Sequence, residues 1–459
     1  MRKQLIILSI FLIPFFSCHE AGNTNLKKQV KHTIVPAPDW SKNASIYEVN
    51  IRQYTPKGTI KAFIPYLKKI KDLGTGIIWI MPPYPIGLEK RKGKLGSPYS
   101  IADYTAINPD LGTDEDFDAL VKEAHKLKMK VLLDWVGNHT SFDHKWIKSH
   151  PDWYTKDSLG HITHPMGTDW TDVADLNYDN TEMRKEMIKS MKYWINKFDI
   201  DGFRCDVAGF VPNDFWYEAI SELQKIKHIF MLAEWEDPEL HNVGFHMTYG
   251  WELHHIMNEI AQEKMIPLAL DTFFDKDFHR FPDEAYRMNF TTNHDENSWN
   301  GTIKERMGDA ADVMTILAFT AEGMPLIYSG QEANLNKRLS FFDKDTIDWS
   351  DTSKLNFFKS LLALKHNNRA LWNGKYGSYL QKVETSNKNV YAYTREKDGD
   401  KVFAFLNLTG KEQFFNILGL SMKNVGYRNI FTGKSKKFSQ WIKENKRMKP
   451  WSFLVLEKE

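Results

Sequence analysis

Ile200-Asp201-Gly202-Phe203-Arg204-Cys205-Asp206-Val207 is the stretch on which the reading of the fold turns. Its core reads as a short buried strand, residues 202–207, with Arg204 and Asp206 set among apolar neighbours. Residues two apart in a strand share a face. Arg204 and Asp206 therefore point the same way, on an element too apolar to face solvent. A buried carboxylate needs a partner, because an unpaired charge inside a protein is costly. Two readings follow: an ion pair that only holds a core together, or a carboxylate kept ionised and aimed by its Arg at a substrate. The surrounding chain has to decide between them.

Outward from this strand, apolar runs alternate with segments of helical spacing. Strands are expected over residues 45–51, 76–81, 131–133, 202–207, 229–233, 247–250, 287–292 and 325–328. Helices are expected over residues 60–73, 114–127 (with Thr113 as N-cap), 182–198, 215–226, 254–264, 310–321 and 355–366. About eight strand–helix units argue for a closed (β/α)8 barrel, a TIM barrel, of class α/β. An open doubly wound sheet is the runner-up, but no Gly-rich dinucleotide fingerprint follows the first strand. Residues 139–175 carry no clear periodicity and read as a short inserted domain after strand 3. From residue 373 to 459, short alternating runs and a Lys397-Asp398-Gly399-Asp400 turn read as a C-terminal antiparallel β-sandwich domain. The barrel itself is then residues 41–138 and 176–372.

The 459 residues suffice for one large and one smaller domain. With 42% hydrophobic and 26% charged residues the chain has a globular composition. Its net charge of +2 gives no electrostatic case for a nucleic-acid partner. The basic stretch at residues 434–449 reads as a solvated face. Aromatic residues make up 14%, including 15 Trp; most belong to a core, and a surplus also suits stacking on sugar rings. At the start, Arg2 and Lys3 precede an apolar run at residues 5–16, too short for an ordinary membrane helix. With Ser17-Cys18 closing it, residues 1–18 read as a lipoprotein-type signal peptide, a plain secretory signal being the alternative. Residues 19–40 read as a flexible tether. The expectation is an exported protein, lipid-anchored to a bacterial membrane through Cys18. Lipidation there leaves Cys205 alone, so no disulfide framework is expected.

Working residues of such a barrel gather at the C-terminal strand ends. The third strand runs into Asp134-Trp135-Val136-Gly137-Asn138-His139, the fourth into Arg204-Cys205-Asp206, the fifth into Ala233-Glu234-Trp235 and the seventh into Thr292-Asn293-His294-Asp295. One Asp at a strand end is commonly a helix cap. Asp206, Glu234 and Asp295 together with Arg204, His139 and His294 cannot all be caps. Grouped carboxylates push their proton affinities apart, so one stays protonated while another is charged. Cleaving a glycosidic bond needs that division. A divalent metal site is the competing reading, but no HxH or HExxH spacing is present.

These strand ends resemble the four signature regions of the α-amylase family of glycoside hydrolases. Val173-Ala174-Asp175-Leu176-Asn177, Gly323-Met324-Pro325-Leu326-Ile327-Tyr328 and Pro98-Tyr99-Ser100 are similar to further motifs of that family. The likeness runs in order from about residue 45 to 332. It implies a retaining hydrolase of α-glucans or maltooligosaccharides, with a transglucosylase or a non-catalytic glycan-binding protein as alternatives. By resemblance Asp206 is the nucleophile, Glu234 the acid/base and Asp295 the third carboxylate. Arg204 would orient Asp206, His139 and His294 would bond sugar hydroxyls, and Tyr99 would stack on the sugar. Asn138 and Asp175 match two ligands of the family's structural Ca²⁺; no organic cofactor is implied. One departure stands out. Many family amylases carry Lys-His three and four residues after the nucleophile, where this chain has Gly209 and Phe210.

Overall fold

The structure, a computed structural model, describes residues 34–419 and 425–459. The signal and lipid-anchor expectations, and most of the tether, lie outside the described residues. Residues 34–459 form one compact unit. The last residues of the expected tether are docked: His228 and His246 bond the backbone of Pro36 and Val35 at 2.8 and 3.1 Å. Trp40 packs on Phe230.

Eight parallel strands close into a barrel. They are β1 (Ile46–Val49), β2 (Ile77–Ile80), β3 (Lys130–Trp135), β4 (Gly202–Cys205), β5 (Phe230–Ala233), β6 (Met247–Tyr249), β7 (Tyr286–Asn289) and β8 (Met324–Tyr328). Each strand pairs with its sequence neighbours, and β1 closes on β8 with Ile46 opposite Leu326. Alternation sorts the side chains. Ile46, Ile77, Trp79, Leu132, Leu232, Met247, Met288 and Leu326 fill the barrel interior. Tyr47, Val49, Ile78, Ile80, Val131 and Leu133 pack outward with the helices. On β4 the inward side is crowded at its start: a Cβ on Gly202 would stand 1.9 Å from the Phe230 carbonyl oxygen. Only a glycine lets β4 and β5 approach there, and the interior space above it is left to Arg204.

Most expected elements are present with ends shifted by a few residues. Thr113 caps the helix Asp114–Lys126 in a reciprocal capping box with Asp116. Three differences have physical causes. The expected helix 60–73 is broken into Ile60–Phe63, a tight turn Ile64–Tyr66 and Leu67–Leu73, because Pro65 removes a backbone donor. A helix Ala269–Arg280 was absent from the expectation; it buries only Leu270 and Phe273, so its apolar stripe is thin. The basic stretch 434–449 is not merely a solvated face. It contains the helix Phe438–Glu444, which buries Phe438, Trp441 and Ile442 at helical spacing.

The inserted segment folds as a two-stranded antiparallel pair, His139–Ser141 with Val173–Asp175. C-terminally, a six-stranded sheet is built around Val390–Lys397, Asp400–Asn407 and Phe453–Lys458, with a second two-stranded sheet beside it. Arg395 of this sheet reaches the end of a barrel helix, donating to the Ala321 carbonyl at 2.6 Å.

Candidate active site

The interior of the barrel changes character along its axis. Below, it is apolar; at the C-terminal rim it ends in a buried charged cluster centred on Arg204, which is fully buried. Nη1 of Arg204 donates to Asp134 Oδ1 and to Asp206 Oδ1, each at 2.8 Å. Nε donates to the Tyr249 hydroxyl at 3.2 Å. Nη2 lies 2.7 Å from Glu234 Oε1, yet off-axis, so that contact is ionic without being a formed hydrogen bond. One guanidinium therefore touches three carboxylates contributed by β3 and by the ends of β4 and β5. Its other surroundings are aromatic, with Trp79 and Tyr99 rings 4.9 and 5.6 Å from the guanidinium carbon.

Three carboxylates against one cation leave excess negative charge in a dry place. Burial raises the proton affinity of Asp134, Asp206 and Glu234, and Arg204 opposes the rise in each case. Asp206 is pushed well above the usual carboxylate range, with the Glu234 and Asp134 charges adding to burial. Such a group titrates as a unit, and its first proton belongs to the cluster rather than to one residue.

Glu234 is held at its other oxygen by the backbone. Val207 sits in the left-handed region, at φ 37° and ψ 48°, a conformation that a β-branched residue adopts only under constraint. That turn aims its N–H at Glu234 Oε2, 2.8 Å away. The residue after Asp206 thus fixes the orientation of Glu234.

A second chain of bonds reaches the cluster from the seventh strand. His294 Nδ1 lies 2.6 Å from Glu48 Oε1, and its Nε2 lies 2.7 Å from the Tyr99 hydroxyl and 3.2 Å from Asp295 Oδ2. Tyr99 donates onward to Asp134 Oδ2 at 3.1 Å, which also accepts from Trp79 Nε1 at 3.0 Å. Burial opposes charging of His294, but the charges of Asp295 and Glu48 outweigh it, and its pKa rises to about 9. At neutral pH this ring is an imidazolium. His139 is the opposite case: burial alone lowers it to about 4, so it is neutral, and it bonds the backbone of Tyr99.

Asp206, Glu234, Asp295, Arg204, His294, His139 and Tyr99 thus belong to one continuous chain of contacts that runs through Tyr99 and Asp134. Tyr99 keeps 8% of its surface open, its ring lying nearly parallel to His294 and Phe341. Two aromatic walls flank the rim. On one side the half-exposed Trp299 packs against Phe341 at 4.9 Å. On the other, Phe210 contacts Trp235 and Trp170. Several residues that complete the site were not assigned a role from sequence. Glu48 and Asp134 are fully buried, and a lone acidic residue inside an otherwise apolar strand was the available signal for both. Tyr249, Trp299 and Phe341 carried no signal in sequence.

Asn138 and Asp175 stand apart from this cluster, at the junction of barrel and insert. Their side chains hydrogen-bond each other, and Thr155 also bonds Asp175, whose proton affinity burial raises. Both offer oxygens, the donor type a Ca²⁺ takes. Among the described residues, no group of three His, Cys, Asp or Glu side chains is placed to hold a metal.

A parallel (β/α)8 barrel with several carboxylates assembled at its C-terminal rim is the frame of a glycosidase. Comparison with known proteins gives the family. The catalytic domain of alpha-amylase matches residues 39–166 and 166–407, and the chain belongs to the alpha-amylase family. It is 28% identical to "Alpha-amylase 3" of Dictyoglomus thermophilum over 479 residues, covering 86% of this chain and 91% of that one. Among solved structures it resembles an alpha-amylase from Lactobacillus plantarum, with TM-score 0.80 and 31% identity over 91% of this chain and 99% of the other. It also resembles a noncanonic maltogenic alpha-amylase, AmyB, from Thermotoga neapolitana, with TM-score 0.79 and 28% identity over 91% and 97%.

Proposed function

We propose that this glycosidase cleaves α-glucosidic bonds in α-glucans or maltooligosaccharides with retention, through a covalent glycosyl-enzyme on Asp206. The observation that carries the reading is Asp206 and Glu234 held by one guanidinium. Retaining chemistry needs its two carboxyls about 5 to 5.5 Å apart, close enough to work on one anomeric carbon.

The two carboxyls differ in their grip on Arg204. Asp206 receives an aligned hydrogen bond, whereas the Glu234 contact is off-axis. Aligned charge-assisted bonds favour the ionised form. The reaction needs the cluster's shared proton on Glu234 and the charge on Asp206, which the aligned bond from Arg204 Nη1 favours. Glu234 turns from Nη2, protonates the departing glycosidic oxygen, and Asp206 attacks the anomeric carbon. Water then enters, gives its proton to Glu234, and releases the sugar from Asp206. Asp295, paired with the imidazolium of His294, stands by the developing positive charge of the ring. Tyr99, His139 and His294 bind the sugar being cleaved. An acceptor sugar could replace the water on the same residues, and transglucosylation is the second reading.

Substrate and stereochemistry are tested together. Incubation with maltoheptaose, soluble starch and pullulan, followed by NMR of the first product, is expected to show the α-anomer. A β-anomer as first product would exclude a glycosyl-enzyme on Asp206. A structural Ca²⁺ is proposed on Asn138 and Asp175, with the rest of its six to eight oxygen ligands drawn from backbone carbonyls and water. Export and a lipid anchor on Cys18 are proposed from the sequence of residues 1–18.

A further inference from the structure

Glu48 is the charged residue of β1. It follows Ile46 by two positions, so it shares the interior face, level with Trp79 of β2. It is fully buried. Barrel closure does not require its side chain. Ser329 ties β8 to β1 through the Glu48 backbone carbonyl, its N–H donating at 3.1 Å and its hydroxyl at 2.6 Å. Among the described residues, every hydrogen bond of the carboxylate goes instead to His294. Oε1 faces Nδ1 at 2.6 Å and accepts from the backbone N–H at 3.4 Å, while Oε2 has no donor.

The bonds around the ring assign its protons. Tyr99 has one hydroxyl proton and gives it to Asp134 Oδ2 at 3.1 Å. Its oxygen is then an acceptor toward His294 Nε2, 2.7 Å away, and Asp295 Oδ2 is a second acceptor at 3.2 Å. Glu48 is the acceptor at Nδ1. A neutral imidazole has a single N–H. It would satisfy one side and turn a lone pair on a carboxylate at the other. Asp134 on β3, Arg204 on β4 and Glu234 after β5 are the other charged groups that act on the ring, through space.

Resting on the hydrolase reading above, we propose that Glu48 is a positioning residue for the reaction: its carboxylate fixes an N–H at both nitrogens of His294. Nε2 then donates toward Asp295 and never opposes it with a lone pair, and Asp295 is held in place beside the sugar ring. Glu48→Gln keeps the size of the side chain but removes the charge that holds the second proton. An opposite charge in contact moves a pKa by about 1 to 3, so His294, at about 9 with Glu48 in place, would lose its charge at about pH 6 to 8 without it.

The test follows kcat on maltoheptaose from pH 5 to pH 8 with the full chain. Glu48→Gln is expected to run close to wild type at pH 5, where the ring is charged in both, and to fall about tenfold behind it at pH 8. Glu48→Asp keeps the charge and is expected to track the wild-type pH course at a lower level, so either variant carries the test if melting curves show the other unfolded. In a His294→Gln background, Glu48→Gln should cost nothing further. A Glu48→Gln deficit of one size at every pH, zero included, would overturn the positioning role and leave the hydrolase reading standing. So would a Glu48→Asp course that follows Glu48→Gln, or a further loss in the His294→Gln background. Wild-type protein inert on maltoheptaose would overturn the two together.

Discussion

Replacing Asp206 by Asn separates the catalytic reading from a structural one, because the two predict opposite effects on stability. Around Arg204 stand Asp134, Asp206 and Glu234, so full ionisation leaves two negative charges uncompensated in a site where Asp206 is only 7% exposed. Asn keeps the shape and a carbonyl acceptor for Nη1. Weakening a charged hydrogen bond to a neutral one costs about 1 kcal/mol. Removing one uncompensated buried charge returns more, since each such charge carries a penalty of up to several kcal/mol. The net expectation is a gain of about 1 to 2 kcal/mol, or roughly 1 to 2 °C for a chain of this length. The gain should widen with pH. A carboxyl whose folded pKa lies above its unfolded value keeps its proton longest in the native state. Stability of the wild type then falls as pH rises above the unfolded pKa, and the Asn variant lacks that fall. Activity should drop by about 10⁴-fold or more, as for other lost nucleophiles. The assay is hydrolysis of maltoheptaose beside calorimetric melting at pH 5 and pH 8. A variant that melts lower than wild type, with activity loss no larger than its unfolded fraction explains, would refute the reasoning and leave Asp206 a structural ion pair.

Glu234→Gln is expected to cost about 10² to 10⁴-fold on maltoheptaose but much less on α-maltosyl fluoride, which departs without a proton; equal losses would deny it the acid role. Glu332, which accepts from the Tyr47 hydroxyl at 2.5 Å, is raised by burial from 4.5 to about 7. The stability tied to its neutral form is fully present below pH 4.5 and lost as pH climbs toward 7, so Glu332→Gln should gain on wild type over that window. The ceiling is about 3 kcal/mol, and a gap that does not change with pH in denaturant titrations would contradict it. If Asn138 and Asp175 anchor a Ca²⁺, chelation lowers the melting temperature by several degrees; an unchanged melting curve would remove the metal.

The order of elements around the barrel was legible because most strands are short apolar runs that alternate with segments of helical spacing, one of them opened by the Thr113 cap. The helix Ala269–Arg280 was missed because it buries so little, and the one at Phe438–Glu444 because lysines mask its apolar stripe. In the site, the acidic and basic residues at the strand ends declared themselves by being charged where the pattern is apolar. Glu48 and Asp134 gave the same signal more faintly, one inside β1 and one inside β3.

What local sequence could determine was therefore the set of parts: which runs become strands, where they end, and which ionisable side chains those ends carry. That information is local, because propensity, capping and two-residue alternation act over a few positions. Tertiary structure alone decided which parts touch. Closing β1 onto β8 brings Glu48 to His294, 246 positions apart, and the same closure sets the proton affinities of both. Nothing in the composition of either segment fixes those affinities; they come from dry surroundings and neighbouring charge. Likewise Gly209 reads as an ordinary loop residue until the ring of Trp235 is found 2.1 Å from where its side chain would begin.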